Sequence, residues 1–502
     1  MKNFDFDNLF IFDMANNHQG DVKHALKIIK ALGKITKEQN IISAFKFQFR
    51  DLDTFIHPAF VHRDDVPHIP RFLNTRLNKT DYKVLTEAVR ENAMITMATP
   101  FDEPSVDLIT ELGIEVIKIA SCSSTDWPLL EKVADSEKPI VISTAGIPMS
   151  KIDQLVYYFK NRRKYFALMH CVALYPTDNK ALRLNQISLL KNRFPTVPIG
   201  FSTHEHPDNF EAIKVSYAQG ARLFERHVGL ENEKFKLNAY SSTPDQISQW
   251  IQAYHEIVAA CGGEERAPAP PKEIESLRSL MRGVYAQKEL KQGEAIRRED
   301  VFFAMPLQEK QLTSGEWKEG LIADRAYTQN EPLCETMVQL KASDEEYVAQ
   351  IMLQVKGMLN SARVVISGAP SIEVSHHYGL DRFREFGAVI IDCINREYCK
   401  KIIVQLPRQK HPYHYHKRKE ETFQLLSGDL EIEINGKRHQ LFPGDQILVE
   451  PEQWHKFHTL DGAIIEEVST THYTDDSFYE DEKIARLPRE KRKTKVTNWD
   501  LL

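Results

Sequence analysis

The sequence predicts an α/β protein in which a parallel (β/α)8 TIM barrel is followed by a small α+β domain and a C-terminal all-β barrel. In residues 1–265, short apolar runs such as LFIFDM, VIKIAS and PIVISTAG alternate with amphipathic segments of helical periodicity. About eight such strands fit a closed barrel better than an open sheet. After residue 346, β-branched and aromatic residues alternate with polar residues, which is typical of antiparallel strands.

Length and composition limit the classes of protein to consider. A chain of 502 residues exceeds one ordinary hydrophobic core, and we expect three domains. The hydrophobic content of 42% and charged content of 27% are typical of a soluble globular protein. A net charge of -6 with interleaved signs offers no basic face for nucleic acid. The six scattered cysteines indicate reduced thiols, and the lack of a long apolar run argues against a membrane protein, so we expect a cytoplasmic location.

Breaks in the pattern set the expected domain limits. The stretch CGGEERAPAPPKE interrupts the helical pattern with glycines and prolines and is predicted to be a linker. Residues 276–340 hold short strands and turn glycines in a segment too small for much catalysis alone, and we expect it to cap another domain. Residues 346–485 form the predicted all-β domain, with hairpin turns at Asn435-Gly436 and Pro443-Gly444. The charged tail 486–502 is predicted to be solvated surface.

Polar side chains are concentrated where the predicted barrel strands end, which in such barrels is the mouth of the active site. Two histidines on late strands, His204 and His227, would suit a divalent metal that polarises a carbonyl oxygen. Lys46 and Lys118, with nearby serine hydroxyls, would suit a small molecule carrying phosphate and carboxylate groups. A single strand-end histidine or lysine is more often structural, so the prediction depends on the whole set. The set comprises Asp13, Asn17, His18, Lys46, Gln48, Lys118, Ser121, Ser143, Thr144, His170, Ser202, His204, Glu225 and His227.

This half of the sequence resembles the sialic acid synthases through the order of its motifs, which are NNHQGD, KFQ, ATPFDEPSVD, KIAS, ISTAG, HC-x3-YP, GFSTH and FERH. The resemblance implies an enzyme that condenses phosphoenolpyruvate with an aldose, using a manganese-type ion (Mn²⁺), to make a 3-deoxy-2-ulosonic acid. It implies that His204 and His227 bind the metal and that Asp13 takes the place of the family's catalytic glutamate. We expect substrate contacts from Lys46, Gln48, Lys118, Ser121, Ser143, His170, Ser202 and Glu225.

Residues 276–340 contain the runs MRGVYAQKELKQGEAI and GLIADRA, and they resemble the antifreeze-like (SAF) domain that ends these synthases. This resemblance implies a homodimer in which the capping domain of one subunit covers the barrel of the other. The expected partners are therefore phosphoenolpyruvate, a small sugar and a second copy of the chain, with neither nucleic acid nor membrane.

Several departures from the family fall on the side of the sugar acceptor. Leu237 and Asn238, in KFKLNAYSSTP, replace an Asp-His pair that handles the sugar, and Ala173 replaces an asparagine. Met305 replaces an arginine that reaches an acyl group. These changes predict an acceptor other than N-acetylmannosamine. Four residues of a polar insertion are candidate replacements, although loop residues of this kind are often merely solvated: Arg50, His62, Arg63 and Arg71.

The C-terminal run HPYHYHKRKEETFQLLSG predicts a second metal site. It places His414, His416 and Glu421 at x, x+2 and x+7, with both histidines on the same face of one strand. His455 follows about one hairpin pair later and completes a set of three histidines and one glutamate. This set suits Mn²⁺ or Zn²⁺ with open positions for substrate. A histidine-rich surface loop is the alternative, but the spacing and the glycine that follows are typical of a cupin barrel.

Flanking residues narrow the expected chemistry of the cupin. The segments HYHKRKEETF and IIEEVSTTHYTDDSFYED resemble D-lyxose isomerase-like cupins, which interconvert an aldose and a ketose by proton transfer. This resemblance makes Lys419 and a carboxylate from Glu466 or Glu467 the acid and base candidates. Strand alternation lets only one of these glutamates face the interior, and we predict that it is Glu467.

Three hypotheses for the whole chain remain open. In the first, the cupin isomerises a ketose to the aldose that the barrel condenses with phosphoenolpyruvate, for surface polysaccharide synthesis. In the second, the cupin is a noncatalytic module that binds sugar and regulates the synthase. In the third, the barrel has lost synthase activity and serves as a scaffold. A fold alone does not select among them.

Overall fold

A computed structural model of the chain describes residues 4–66, 68–202, 204–263, 266–336, 343–366, 370–496 and 499. These residues form two compact units that divide between Pro268 and Ala269, inside the stretch that the sequence predicts as a linker. Parts of the predicted linker (264–265), capping domain (337–340) and tail (497–498 and 500–502) lie outside the described residues. No helix of the described residues has the length and apolar character needed to cross a membrane.

The first unit is built around a closed barrel of eight strands, which confirms the predicted fold class. All neighbouring strands are parallel, and the first closes on the last by pairing Leu9 with Leu223 and Asp13 with His227. The strands are β1 Leu9–Asp13, β2 Ile42–Phe49, β3 Ile95–Pro100, β4 Val116–Ile119, β5 Ile140–Ser143, β6 Phe166–Cys171, β7 Ile199–Ser202 and β8 Leu223–His227.

Helices cover the outside of this barrel, and capping side chains fix where several of them begin. Asp21, for example, accepts a hydrogen bond from the His24 amide, which has no partner within the first helical turn. The helices are α1 Val22–Glu38, α2 Leu52–Phe55, α3 Ile69–Asn74, α4 Lys79–Glu91, α5 Glu103–Glu111, α6 Trp127–Asp135, α7 Met149–Asn161, α8 Asn179–Leu182, α9 Asn185–Arg193, α10 Glu211–Ala218 and α11 Pro244–Cys261.

Strand alternation sends residues of the barrel to two different cores. Ile11, Val116 and Val141 belong to a buried cluster inside the barrel, whereas residues adjacent to them in the chain pack outward with the helices. The residues two positions further along continue the inner face toward the carboxyl ends of the strands. These residues are polar, so the apolar interior ends below a layer of charged and hydroxyl groups.

The second unit begins with a small α+β segment that has its own buried core, including Val284, Leu290 and Leu321. Its two strands pair antiparallel, with Val301 opposite Ala286. Its elements are α12 Pro271–Arg278, β9 Gly283–Ala286 and β10 Val301–Ala304.

The rest of the second unit contains two antiparallel sheets of seven and five strands, in agreement with the predicted all-β domain. The helix after Ser343 packs Met352 and Val355 into a core that also contains Val404. The elements are α13 Asp344–Ser361, β11 Ser371–Ser375, β12 Ala388–Asn395, β13 Tyr398–Gln405, β14 His414–Tyr415, β15 Glu421–Gly428, β16 Leu430–Ile434, β17 Lys437–Leu441, β18 Gln446–Val449, β19 His455–His458, β20 Ala463–Thr470, β21 Phe478–Tyr479, α14 Glu482–Ala485 and β22 Lys493–Val496.

Two predictions for this region were wrong. Pro443-Gly444 is not a hairpin turn, because β17 and β18 belong to different sheets; Asn435-Gly436 does join the hairpin of β16 and β17. The charged tail is not simply solvated surface, because β22 pairs with β11 at the sheet edge and buries Val496. Alternation of Lys and Thr with one apolar residue is enough for an edge strand, which tolerates charge on its open side.

Candidate functional site

Two lysines and two carboxylates meet inside the barrel at the carboxyl ends of the strands. Lys46 Nζ lies 2.8 Å from Glu225 Oε1 and 3.0 Å from Asp13 Oδ2. Lys118 Nζ lies 3.0 Å from Glu225 Oε2. All four side chains are buried. The cluster comes from β1, β2, β4 and β8, so only closure of the barrel brings it together.

The lysines keep this buried glutamate ionised. Burial alone would raise the pKa of Glu225, but Lys118 and Lys46 outweigh burial and hold the pKa well below its usual value. Burial would lower the pKa of Lys46, yet Asp13 and Glu225 raise it. The pKa of Lys118 is lowered, because burial and the charge of Lys46 exceed the attraction of Glu225. The site therefore holds paired charges that an anionic ligand can separate.

Most of the predicted polar set surrounds this cluster. Ser143 Oγ accepts a hydrogen bond of 2.7 Å from Lys118 Nζ, and Ser202 Oγ donates one of 3.2 Å to Glu225. Gln48 donates to Asp13 over 3.2 Å. Ser121 Oγ accepts from the Ala145 amide, so it lies between β4 and the loop after β5.

The two predicted metal-binding histidines lie beside the cluster. The rings of His204 and His227 are 5.4 Å apart, and His227 Nδ1 is 3.5 Å from Asp13 Oδ2. His204 Nδ1 lies 2.8 Å from the Val172 carbonyl, which leaves Nε2 for another ligand. Burial lowers the pKa of His204 to about 4 and also lowers the pKa of His227. Both rings are therefore neutral at pH 7, the form that binds a metal.

His170 was expected to contact substrate, and the structure does not bring it into this cluster. Met169 belongs to the inner core, so alternation turns His170 outward, where it stacks on Phe201. His170 Nε2 is 2.7 Å from the Leu182 carbonyl. The hydrogen bond of this ring thus connects α8 to the barrel. Asn17 also has a structural contact, because it donates to the Val228 carbonyl.

Sequence reasoning missed residues on the same inner surface. Cys171 follows His170 and faces inward, with Ser121 and Ser202 as neighbours. Tyr240 lies 5.2 Å from His227 between ring centroids, and Tyr175 lies 4.3 Å from His204. Counting strand alternation from Met169 would have found Cys171, but no local pattern indicates the two tyrosines.

Of the four residues proposed to read the acceptor, only Arg50 is largely enclosed. His62, Arg63 and Arg71 are exposed, and Arg63 pairs with Asp65. These three residues are therefore solvated loop residues, which is the alternative to a role in binding the acceptor.

The second unit contains the predicted cupin metal site. Imidazole nitrogens of His414, His416 and His455 lie within 4.8 Å of one another, and all three side chains are buried. Their Nδ1 atoms contact the backbone carbonyls of Pro412, Asp476 and Gln453, respectively. These contacts leave each Nε2 free to face the space between the three rings. In metal sites, ligand histidines are commonly oriented in this way by hydrogen bonds from their other ring nitrogen.

Glu421 completes this donor set. Its Oε2 lies 3.2 Å from His455 Nε2, and its Oε1 lies 3.5 Å from His416 Nε2. Glu421 Oε2 and His455 Nε2 are buried without a hydrogen-bond partner among the described residues. When His455 Nδ1 donates to a carbonyl, Nε2 is an acceptor that faces a carboxylate. Two acceptors at this distance need a cation between them, so the residues fit Mn²⁺ or Zn²⁺.

Lys419 connects the residues of the predicted metal site to a second carboxylate. Its Nζ lies 2.6 Å from Glu421 Oε1 and also contacts Glu467. Glu467 is buried, whereas Glu466 pairs with Lys400 on the other face, which confirms the predicted orientation. Despite burial, Lys419 and Lys401 lower the pKa of Glu467, and the two glutamates raise the pKa of Lys419. Lys419 is therefore a cation and Glu467 an anion at neutral pH.

A small cavity of about 50 Å³ adjoins these groups. His377 and His411 line it in addition to the predicted residues, with their rings 4.6 Å apart. His411 lies next to the metal site, since its ring is 4.6 Å from that of His414. His411 is the first residue of the run HPYHYHKRKEETFQLLSG but was given no role there, whereas His377 lies far outside that run, so spacing gave no reason to include it.

Family comparison supports both parts of this arrangement. The model described as "NeuB family" matches residues 37–266, and the model described as "Cupin domain" matches residues 402–465. The first match includes Lys46, Lys118, His204, Glu225 and His227 but not Asp13, and the second includes His414, His416, Glu421 and His455 but not Glu467.

Individual relatives match the first part of the chain. The crystal structure of a candidate spore coat polysaccharide biosynthesis protein E from Chromobacterium violaceum is 43% identical, with a TM-score of 0.64, and covers 66% of this chain and 100% of its own. N-acetylneuraminate-9-phosphate synthase from Drosophila melanogaster is 28% identical over 327 residues, covering 58% of this chain and 85% of the relative. N,N'-diacetyllegionaminic acid synthase from Legionella pneumophila is 24% identical over 310 residues, covering 59% of this chain and 85% of the relative.

The fold and the barrel site define a domain of the sialic acid synthase type, joined to a cupin. Since the match to the Chromobacterium violaceum protein spans that whole chain, this chain belongs to the NeuB family. Two of these relatives are named as synthases, one of N-acetylneuraminate-9-phosphate and one of N,N'-diacetyllegionaminic acid.

Proposed function

We propose that the barrel condenses phosphoenolpyruvate with an aldose to give a 3-deoxy-2-ulosonic acid and phosphate. The observation that carries the proposal is the buried pairing of Lys46 and Lys118 with Glu225, surrounded by serine hydroxyls. Phosphoenolpyruvate carries a phosphate and a carboxylate, and each would take one lysine from its carboxylate partner. The hydroxyls of Ser121, Ser143 and Ser202 can then donate hydrogen bonds to the same anions.

Asp13 and the two histidines act on the acceptor side of this site. His204 and His227 would hold a manganese-type ion, which when bound supplies Lewis-acid polarisation of an aldehyde oxygen. Asp13 lies between Lys46 and His227, where its carboxylate can accept a hydrogen bond from the water that adds to the enol-derived carbon. Carbon–carbon bond formation joins the enol carbon to the aldehyde carbon, and addition of water releases phosphate.

The acceptor proposed here is a simple aldose rather than N-acetylmannosamine. The replacements Leu237, Asn238, Ala173 and Met305 support this proposal, since they remove groups that the family uses for its amino sugar. Tyr240, from the same altered segment, supplies an aromatic surface beside His227 instead.

We propose that the cupin makes this aldose from a ketose. His414, His416, Glu421 and His455 would hold Mn²⁺ or Zn²⁺. Glu467 would carry the proton between the two reacting carbons, and the ammonium of Lys419 would stabilise negative charge on the sugar oxygen. The proposal is supported by the buried contact between Lys419 and Glu467, because a protein that only binds sugar has no need of an acid and base pair.

Calorimetry with phosphoenolpyruvate tests the barrel half of the proposal. The wild-type protein is expected to bind one phosphoenolpyruvate per chain, and Lys46→Met and Lys118→Met are each expected to abolish binding. Lys288→Met removes a lysine of the second unit that pairs with Asp300 and serves as the matched control. Absence of binding to the wild-type protein would support the scaffold hypothesis instead.

The quaternary arrangement is a separate proposal. We propose a homodimer in which the capping segment of one subunit covers the barrel of the other, as the family resemblance implies. Light scattering on the purified chain should give twice the mass of 58.0 kDa, and a monomer at micromolar concentration would contradict it.

A further inference from the structure

Arg50 continues the inner face of the barrel beyond the charged cluster. The inward positions of β2 are Lys46 and Gln48, and Arg50 is the next residue in that alternation. Its backbone is fixed on both sides, because the Phe101 amide donates to the Phe49 carbonyl and the Asp51 amide donates to the Asp102 carboxylate. The guanidinium therefore stands at the barrel mouth on a rigid support.

Three aromatic rings lie around this guanidinium. Its central carbon lies 3.5 Å from the ring centroid of Phe101, 4.2 Å from Phe72 and 5.9 Å from Phe55. Phe55 and Phe72 come from α2 and α3, which form the insertion after β2. Among the described residues, Arg50 has no hydrogen bond or ion pair, and its Nε is buried without a partner.

The nearest carboxylates are occupied by other groups. Asp102 accepts from the amides of Asp51 and Ser105 and thereby caps α5. Asp13 accepts from Lys46 and Gln48. Both carboxylates raise the pKa of Arg50 through their charge, but neither forms a hydrogen bond or ion pair with the guanidinium.

An enclosed cation without a direct ion pair is costly, and such groups are often found at ligand-binding sites. Burial lowers the pKa of Arg50 to about 10, so the side chain remains charged at neutral pH. The three rings hold the planar group in place and leave its edge for an anion, which a guanidinium binds through two parallel hydrogen bonds to two oxygens of a carboxylate or phosphate.

We infer that Arg50 binds an anionic group, a carboxylate or a phosphate, on the sugar acceptor of the barrel. The inference rests on the proposed function, in which Lys46 and Lys118 already match the two anions of phosphoenolpyruvate. Arg50 lies one inward position beyond Gln48 toward the mouth, where the second substrate must enter. The barrel thus selects a uronate-type or phosphorylated aldose over its neutral counterpart.

The test measures anion binding to the full-length protein saturated with phosphoenolpyruvate, using inorganic phosphate in one titration and acetate in the other. The wild-type protein should bind at least one of the two probes, and the preferred probe distinguishes a phosphate from a carboxylate. Arg50→Met should weaken that binding by at least about tenfold and leave phosphoenolpyruvate affinity within about twofold. Arg76→Met is the matched control, since Arg76 lies in the same insertion and pairs with Asp53.

A structural arginine would give a different result. Because Arg50 forms no direct ion pair, Arg50→Met should unfold at a temperature no lower than that of the wild-type protein. The inference is overturned when neither probe binds the wild-type protein or when Arg50→Met binds the probe equally well. It is also overturned when the Arg50→Met substitution instead weakens phosphoenolpyruvate binding or lowers the unfolding temperature. Failure of every aldose to react would count against the proposed function, but the titrations would still decide the role of Arg50.

Discussion

Lys46 Nζ and Glu225 Oε1 lie 2.8 Å apart although 179 residues separate them in the chain. The contact exists because β1 pairs with both β2 and β8, so the inward side chains of the second and last strands converge across the closed barrel. Glu225 also receives Lys118 from β4. Glu225 therefore pairs with both lysines, and Lys46 pairs with Asp13 as well.

The first prediction concerns the stability of this cluster. Glu225→Gln should reduce the free energy of unfolding by about 3 kcal/mol, because it leaves a buried ammonium group insufficiently neutralised. Phosphoenolpyruvate should restore part of this loss, since its anions supply the missing charge. Denaturant unfolding with and without phosphoenolpyruvate measures both effects. Glu205→Gln is the control, because Glu205 forms another buried pair, with Arg226 at 2.9 Å. This variant should also be destabilised, but phosphoenolpyruvate should not restore its stability. Equal restoration of both variants by phosphoenolpyruvate would contradict the prediction.

A second prediction concerns metal content. The wild-type chain should retain or take up two divalent ions, one for each histidine site. His455→Ala should lose the cupin ion and His227→Ala the barrel ion, whereas His206→Ala, which alters an exposed histidine, should lose neither. Elemental analysis after dialysis gives the stoichiometry. Retention of two ions by His455→Ala would show that the buried triad does not bind metal.

Backbone conformation gives a third prediction. Gly428 has φ of 89°, and a Cβ there would overlap the Gly462 carbonyl oxygen, so Gly428→Ala must move backbone and should cost more than about 3 kcal/mol. Gly436 has a similar φ of 82° but open space around it, so Gly436→Ala should cost only about 1 kcal/mol. Thermal unfolding of the second unit compares the two variants. Similar losses of stability in the two variants would mean that the contact with Gly462 is unimportant.

Neighbouring glutamates of β20 provide a fourth prediction. Glu467→Gln should reduce aldose–ketose exchange by about 10²–10⁴-fold, because it removes the buried proton carrier. Glu466→Gln alters the outward residue and should retain exchange. Deuterium uptake from solvent at the carbon next to the carbonyl reports the proton transfer. Absence of exchange in the wild-type protein, together with sugar binding that depends on His414, would favour the noncatalytic cupin.

The sequence predicted the barrel, the cupin and most residues of both sites, because each depends on local spacing and strand alternation. The same alternation selected Glu467 correctly over Glu466, yet it was not applied to His170, whose neighbour Cys171 is the inward residue. Contacts that depend on packing between distant segments, such as Phe72 against Arg50 or Tyr240 beside His227, leave no local pattern. The edge strand β22 was missed for a related reason, since pairing with β11 rather than hydrophobicity orders it.

Mass spectrometry of the product can show whether the barrel joins phosphoenolpyruvate to a sugar. The full-length protein is incubated with Mn²⁺, phosphoenolpyruvate labelled with ¹³C at all carbons, and a panel of aldoses and ketoses in neutral, phosphorylated and uronate forms. We expect release of inorganic phosphate and a new sugar acid that contains all the labelled carbons of phosphoenolpyruvate, with no product from Lys46→Met. Phosphate release that yields only labelled pyruvate, or no reaction with any sugar, would contradict it.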